Sequence, residues 1–580
     1  MNSRTGLVVF CHINRWRPAL ALVVSATLLL YTGCATTFVP TDAKATCTDV
    51  IPQGEAFATW FEGGQVTLNG VVTPADSVKF PDIPNCSFYQ WSERMYLWLT
   101  SPATAEKYGG GGGRVFGSKA FFDVSPLDAN GEREFVPHVS GSFPHVIPRF
   151  APAGPNGFQV VAAKDGRTLD LEPTPVGPTG RQLIRNARGE AVEIGRIAMN
   201  ERRQPLFFDT AGLPIEGARP LSREPQRKDL NAGDLLVQRF DFENSAFFLN
   251  LLGNVVEVES GQANGMAVLQ AQNGSLVYYT IAVNDVFAYF LTGAKNGGIL
   301  PAPAQFPTTA DHLTAVVDFA AKSGRTLIDP QALAVEVKMS WVEAEGLVNP
   351  NDYITTEASI PVYDKSNPEQ WVKTGDRRAL LAMVGMHVVG STKGHPEMIW
   401  ATFEHQSNMP NGEYRYIDTN DDIKTVARDT SGDWLFSTNG AAGPFNQAHM
   451  SWSEGNIDAN TGEGFTISPS DTIRWKAWGS ASTKASSNTE IISINNTVRS
   501  LLAAGDVRRN YIMTGATWTI FGGEPTETNQ VGTNKLANGT METYQQGSDA
   551  SAMTGSNCFT CHTTNTTSVS AIYDPLKPLF

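Results

Sequence analysis

Apolar residues recur along this chain with two periods, and each change of period marks an element. Phe88, Trp91, Met95 and Leu99 are spaced by three and four residues, which predicts an amphipathic helix ending before Pro102. From about 115 to 283 short β-branched and aromatic runs alternate with turn residues, and Met266–Gln272 joins Ser275–Val283 through Asn273-Gly274, a tight-hairpin dipeptide. Helices are expected from Asn284-Asp285 to about Gly293 and from Thr309 to Lys322, the second closed by Gly324. Val335, Val337, Met339 and Trp341 then alternate with Glu336, Lys338 and Ser340, predicting a strand with one buried and one wet face. Leu380–Val389 is apolar on both faces, as a central strand should be, and Met398–His405 is expected to pair with it as a hairpin. A helix from about Asn495 to Ala504, stopped by Gly505, and a strand Tyr511–Phe521 complete the outline. The fold class expected is mainly β with some α (α+β): two antiparallel sheet-rich halves, 55–330 and 331–580, with a few helices.

Composition supports that outline. With 580 residues and 41% hydrophobic positions the chain has ample length for a large core. Only 18% of residues are charged and 53 are glycine, a balance that favours turn-rich sheet over exposed helices. The net charge is −14 and no Lys/Arg-rich run occurs, so nucleic acid is not an expected partner. An acidic surface serves solubility or steers a basic redox protein. Gly112 to Lys119 spells G-x-x-x-x-G-S-K, but a phosphate loop needs Lys before Ser or Thr and a strand feeding a helix, so the Gly109–Gly113 run is read as a loop.

The amino terminus reads as an export signal. Arg4, Arg15 and Arg17 precede the apolar run Ala19 to Tyr31, which is shorter than the ~20 residues of a spanning helix but suits a signal-peptide core. Leu30-Tyr31-Thr32-Gly33-Cys34 resembles the bacterial lipoprotein box, which implies a lipid on Cys34; Tyr31 stands where that pattern has an aliphatic residue. The alternative is ordinary cleavage, for example after Ala43-Lys44-Ala45. The expectation is a signal over 1–33, a tether over 34–54, and a protein of the periplasm or outer membrane held there by its lipid alone.

Six cysteines divide by position. Cys11 lies in the signal, Cys34 at the lipid site, and Cys558 and Cys561 in one motif. Cys47 and Cys86 remain; in an oxidising compartment they read as one disulfide, worth ~4 kcal/mol for a loop of about 40 residues, or else as two separate buried thiols.

Cys558-Phe559-Thr560-Cys561-His562 is C-x-x-C-H, the attachment signature of c-type haem. Two cysteines one helical turn apart can form thioethers to neighbouring vinyl groups, and the adjacent histidine then offers its imidazole to the iron as proximal ligand. A thioredoxin-like dithiol would stand early in a βαβ unit, and a tetrahedral zinc site would need a second Cys or His pair, which the sequence lacks. One covalent haem c is therefore expected, on Cys558, Cys561 and His562, packed on the second half. Residues 563–580 are too few for a helical domain of their own, so upstream chain must wall the haem. The distal group is expected among His387, His395, His405, His449, Met541 and Met553. His405 beside Glu404 is the first choice for a catalytic site, as a polar pair able to move protons. Met541 is the choice for pure electron transfer, because a thioether ligand raises the potential. The hairpin carrying His387 and His405 is expected to supply at least one ligand or pocket group.

Five segments together resemble a family of uncharacterised bacterial cytochrome c family proteins with a single carboxyl-terminal C-x-x-C-H. They are Tyr89-Gln90-Trp91 through Leu99; Val335–Trp341; Val384-Gly385-Met386-His387-Val388-Val389 with Ile399-Trp400-Ala401-Thr402-Phe403-Glu404-His405; Asn510–Trp518; and Leu536-Ala537-Asn538-Gly539-Thr540-Met541-Glu542-Thr543 leading to Cys558. Gly539 departs from the family's usual Thr. The resemblance implies haem binding and lends neither a substrate nor a catalytic residue. The function expected is an exported, lipid-anchored c-type cytochrome passing electrons to or from a redox partner protein. The chain is far larger than one haem requires, which keeps open a haem-dependent oxidoreductase, peroxidase-like or oxidising another small molecule, with an open distal site. A surface-tethered binding or sensor protein is the third reading.

Overall fold

The computed structural model describes residues 39–580 apart from 49–53, 84, 110–112, 127–131, 139–143, 145, 149–158, 163–167, 173, 201–203, 222–235, 243–244, 257–266, 300–302, 454, 461–465, 527, 534–537, 547–557 and 563. The export segment, Cys34, Gly110 to Gly112 and Met553 lie outside the described residues. In chain order the elements that build the site are helix α1 (Cys86–Leu99), strands β1 (Phe121–Val124) and β2 (Tyr278–Asn284), helices α2 (Asp285–Lys295) and α3 (Ala310–Lys322), strands β3 (Val335–Glu343), β4 (Gln370–Thr392) and β5 (His395–His405), helix α4 (Ala485–Leu501), strand β6 (Tyr511–Thr519) and the single turn α5 (Cys558–Cys561).

Strands β1 to β6 pair in sequence order, each antiparallel to the next, within a 12-stranded sheet. The protein is mainly β with some α. Because β2 pairs with β3, strands from either side of residue 330 share this one sheet. Residues 159–256 build smaller sheets of five and three strands around Ile184, Phe207, Phe240, Phe247 and Leu249.

Local chemistry sets the ends of these elements. Asn284 Oδ1 accepts from the Phe287 N–H, capping α2, and from the Val335 N–H at the start of β3, while its Nδ2 donates to Leu333 O. Thr309 caps α3 by accepting from the His312 N–H. The Asn273-Gly274 turn is present, with Gly274 at φ +87° and its N–H on Ala271 O. Helix α4 starts ten residues before the expected Asn495, because Ala485 to Glu490 is polar and carries no apolar period to announce it.

Helix α1 packs on one face of the sheet. Tyr96 stacks on Phe403 with centroids 4.3 Å apart, and Phe88 on Trp518 at 4.0 Å. The approach is close enough that a Cβ on Gly390 would stand 2.9 Å from Trp91 Cζ2. The opposite face corrects the expectation for β3. Glu336, Lys338 and Ser340 do alternate with the apolar set, but they are 0%, 6% and 0% exposed, so the face expected to be wet is buried. Its cover comes from the far end of the chain.

Cys47 and Cys86 form the disulfide. It fastens a segment that is no free tether: from residue 39 to 48 the chain lies against α4 and the hairpin of strands Tyr414–Ile417 and Ile423–Val426. Asn496 donates to Pro40 O, the Thr46 N–H to Ser493 Oγ, and Tyr416 to Asp42, while Val39 and Ala43 are buried.

One buried carboxyl in α1 makes stability depend on pH. Burial pushes Glu93 up to about 8, partly offset by Arg499. Since the folded value lies above the unfolded 4.5, the stability this group contributes is full below about 4.5 and is lost as pH rises to about 8. Glu93→Gln is therefore expected to stabilise the protein at pH 8 by a few kcal/mol, on the order of 1.4 for each tenfold change in proton affinity. At pH 4 the variant and the parent should melt together; an equal difference at both pH values would contradict the assignment.

Candidate functional site

Cross-strand register gathers the site on the buried polar face. Lys338, His387 and Thr402 stand directly opposite one another on β3, β4 and β5; Glu336, Val389 and Trp400 form the next row, and Ser340, Gly385 and Glu404 the row beyond. Side chains on one strand face repeat every second residue, about 6.8 Å apart. Trp400, Thr402 and Glu404 therefore mark three successive positions along β5: Thr402 and Glu404 meet the segment that starts at Asn538, and Trp400 meets the C-x-x-C-H turn.

Residues 538–546 lie over Thr402 and Glu404. Asn538 Nδ2 donates to Thr402 Oγ1 at 2.9 Å, the Gly539 N–H to Glu404 Oε1 at 2.6 Å, and Tyr279 Oη to Thr540 O at 2.8 Å, while the Thr540 and Ser340 hydroxyls are 2.7 Å apart. The Asn538 carboxamide oxygen accepts from the N–H groups of Thr540 and Met541, which winds the segment into a turn. The segment approaches closely at two glycines: a Cβ on Gly385 would stand 2.5 Å from Thr540 Oγ1, and one on Gly539 1.9 Å from Met409 Sδ, so at either position a neighbouring side chain would have to move. Beneath this segment Glu404 is fully buried, 3.4 Å from Arg474 Nη1 and hydrogen-bonded to Asn408. Burial raises the Glu404 carboxyl, and Arg474 and the Gly539 N–H pull it back.

Residues 564–580 form a strap on α2. Val569, Ile572, Tyr573 and Leu576 enter the apolar cluster of Phe287, Phe290 and Phe306. Lys295 Nζ donates to the carbonyls of Tyr573, Asp574 and Leu576, at 2.9, 2.9 and 2.7 Å. Arg133 exchanges backbone hydrogen bonds with Pro575 and Lys577, and the Leu579 N–H reaches Thr292 Oγ1. Ser570 Oγ donates to Glu336 Oε2 at 2.6 Å, and Glu336 Oε1 is 3.2 Å from Lys338 Nζ. The strap thereby ties into the charged floor of the site.

Between strap and cover lies the C-x-x-C-H segment. Cys558 to Cys561 make one helical turn, continued by the His562 N–H on Cys558 O at 3.2 Å. His562 Nδ1 is 2.6 Å from Val569 O. A carbonyl can only accept, so Nδ1 carries the proton and Nε2 is left with its lone pair. The ring packs against Trp400 at 4.1 Å, tilted by 38°, and Phe559 meets Trp400 edge-on. An edge of His562 remains accessible, yet burial, then the positive charge of Lys338, push its pKa down to about 3, which keeps the imidazole neutral.

The distal candidates separate clearly. His387 is on the site face, its Nε2 2.5 Å from Glu542 Oε1, and it couples electrostatically to His562. Met541 is buried in the covering segment next to Glu542. His405 is a correction: consecutive strand residues point to opposite faces, so it cannot pair with Glu404. It lies on the α1 side, stacked on Tyr353 at 3.8 Å, its Nε2–H directed to Asp352 O and its Nδ1 accepting from the Ser407 N–H. Burial pushes it down to about 3, so it is a neutral histidine with both nitrogens engaged. His395 also lies by α1, against Phe88 and Glu397, and His449 bonds Ser468. Four groups escaped the sequence reading: Trp400, Glu542, the Glu336–Lys338 pair and the Val569 carbonyl. A polar alternation on a strand flanked by apolar strands was the available signal for Glu336 and Lys338; a backbone acceptor leaves none.

Among the described residues no cluster of three or more His, Cys, Asp or Glu is placed to hold a bare metal ion, and no helix is long and apolar enough to cross a membrane. Compared with protein-family models, with curated proteins and with solved structures, the chain matches none.

Proposed function

We propose that this protein is an exported c-type cytochrome, anchored by a lipid on Cys34, that carries one covalent haem on Cys558 and Cys561 and transfers electrons. The observation that carries the reading is the hydrogen bond from His562 Nδ1 to Val569 O, next to a C-x-x-C-H motif wound into one helical turn. It fixes the tautomer an axial histidine needs, with the backbone acceptor typical of such a ligand, and burial keeps the ring neutral. Cys558 and Cys561 would hold the haem and His562 would ligate its iron; bound there, the haem supplies one-electron chemistry. Trp400 lies against His562, Lys338 and His387 are both near enough to act on its charge, and Glu542 and Met541 belong to the segment covering the same sheet face; these are the groups that would surround the haem.

A second reading, a haem-dependent oxidoreductase, is favoured by one contact. His387 is bound to Glu542 through Nε2, an arrangement suited to holding or moving a proton beside a small substrate.

The test is direct. Protein from cells competent in haem attachment should retain its haem through denaturing electrophoresis, because thioether bonds survive unfolding; an unstained wild-type band would overturn the cytochrome reading. Low-spin spectra that do not respond to carbon monoxide are expected for electron transfer. A five-coordinate, carbon monoxide-binding spectrum would select the oxidoreductase.

A further inference from the structure

A single hydrogen bond leaves an imidazole two freedoms: it can turn about the Nδ1···O line and tilt away from it. For His562 the Val569 carbonyl supplies that one bond. The remaining freedom is closed from the sheet, where the Trp400 indole lies against the imidazole at a centroid distance of 4.1 Å and an interplanar angle of 38°.

Trp400 is itself held on every side the structure records. Its Nε1–H donates to Glu397 O at 2.9 Å, so the indole cannot flip without losing that bond. Phe559, inside the motif, meets it edge-on at 6.4 Å and 88°. Its backbone is paired with Val389 on β4 and Thr517 on β6. The imidazole is thus clamped between two parts of the chain that reach the site independently, the strap at Nδ1 and the central sheet at the ring face.

We propose that Trp400 is a positioning residue for the axial ligand: it fixes the plane in which His562 is presented to the haem iron. The inference rests on the cytochrome reading and adds to it the residue that sets ligand orientation. The plane of an axial imidazole decides which iron d orbitals it meets by π overlap, so its orientation is legible in the rhombicity of the ferric electron paramagnetic resonance signal.

The experiment uses the full chain matured in cells competent in haem attachment, as wild type, Trp400→Met, Trp400→Leu and Trp400→Phe. Haem staining comes first, and all four should stain, because the thioethers do not involve Trp400. In the ferric signal the single species of the wild type should give way in Trp400→Met and Trp400→Leu to several species or to a changed rhombicity. Trp400→Phe, which keeps an aromatic face, should restore a single species. If both aliphatic variants show the wild-type signal, even with a lowered melting temperature, Trp400 only fills space and the proposal is wrong. An unstained wild type would instead overturn the cytochrome reading, and with it any axial role for His562.

Discussion

Replacing Cys558 and Cys561 together by alanine is expected to abolish haem staining on denaturing gels while leaving far-ultraviolet circular dichroism close to that of the wild type. The two residues bound a single helical turn, and Cys558 is only partly buried. The chain on either side is held by other means. Residues 538–546 are bonded to Thr402, Glu404 and Ser340, and residues 564–580 are packed on α2 and bonded to Lys295, Arg133 and Glu336. The loss should therefore be chemical and local. Each single replacement should retain a fraction of the haem through one thioether, so the effects will not add. A double variant that still stains would show that some other residue carries the group.

Arg474→Met is expected to destabilise the protein by about 3–5 kcal/mol, the cost of leaving a buried charge without its partner. The partner is Glu404, fully buried, whose carboxylate also accepts from Gly539 and Asn408. With Arg474 gone, burial is opposed only by those hydrogen bonds, and Glu404 must protonate or draw in water, either of which disturbs the Gly539 N–H that fastens the cover. Arg474 Nη2 also donates to Met409 O, so the chain beneath Gly539 loosens at the same point. Adding Glu404→Gln should recover a large part of the loss, since removing both charges costs less than stranding one. Urea titration with an unchanged slope would measure it. A loss below about 1 kcal/mol in Arg474→Met, or a double variant worse than the single, would mean the pair is unimportant to stability.

How much of this was legible beforehand follows from the range of the forces involved. Helix α1 was written in its own spacing of Phe88, Trp91, Met95 and Leu99, and the ends of α2 and α3 in Asn284 and Thr309, because periodicity and capping are local. The C-x-x-C-H motif, wound into one helical turn, was equally local. The buried polar face was not: Glu336 and Lys338 form the pattern of a half-exposed strand, and only the arrival of Ser570, more than two hundred positions later, covers them. The mistaken weight on His405 had a different origin. Adjacency to Glu404 in sequence suggested a pair, whereas the pleat of β5 sends the two to opposite faces, one to Arg474 and one to Tyr353. The docked stretch from Val39 to Cys47 lacks periodicity and is held by side chains of α4 that no local pattern names.

The strap has a temporal meaning. Its bonds close loops of extreme length, 281 positions between Lys295 and Leu576 and 287 between Thr292 and Leu579. Entropy charges little more for a loop of that size than for one half as long, but contacts so distant in sequence form slowly and after the sheet that receives them. On the proposed function, the time before the strap seats is when an attachment machinery would reach Cys558 and Cys561. Once seated, the strap puts the Val569 carbonyl against His562. On the proposed function, the seating of the strap and the attachment of the haem would then involve the same few residues, and the long loops would set the interval between them.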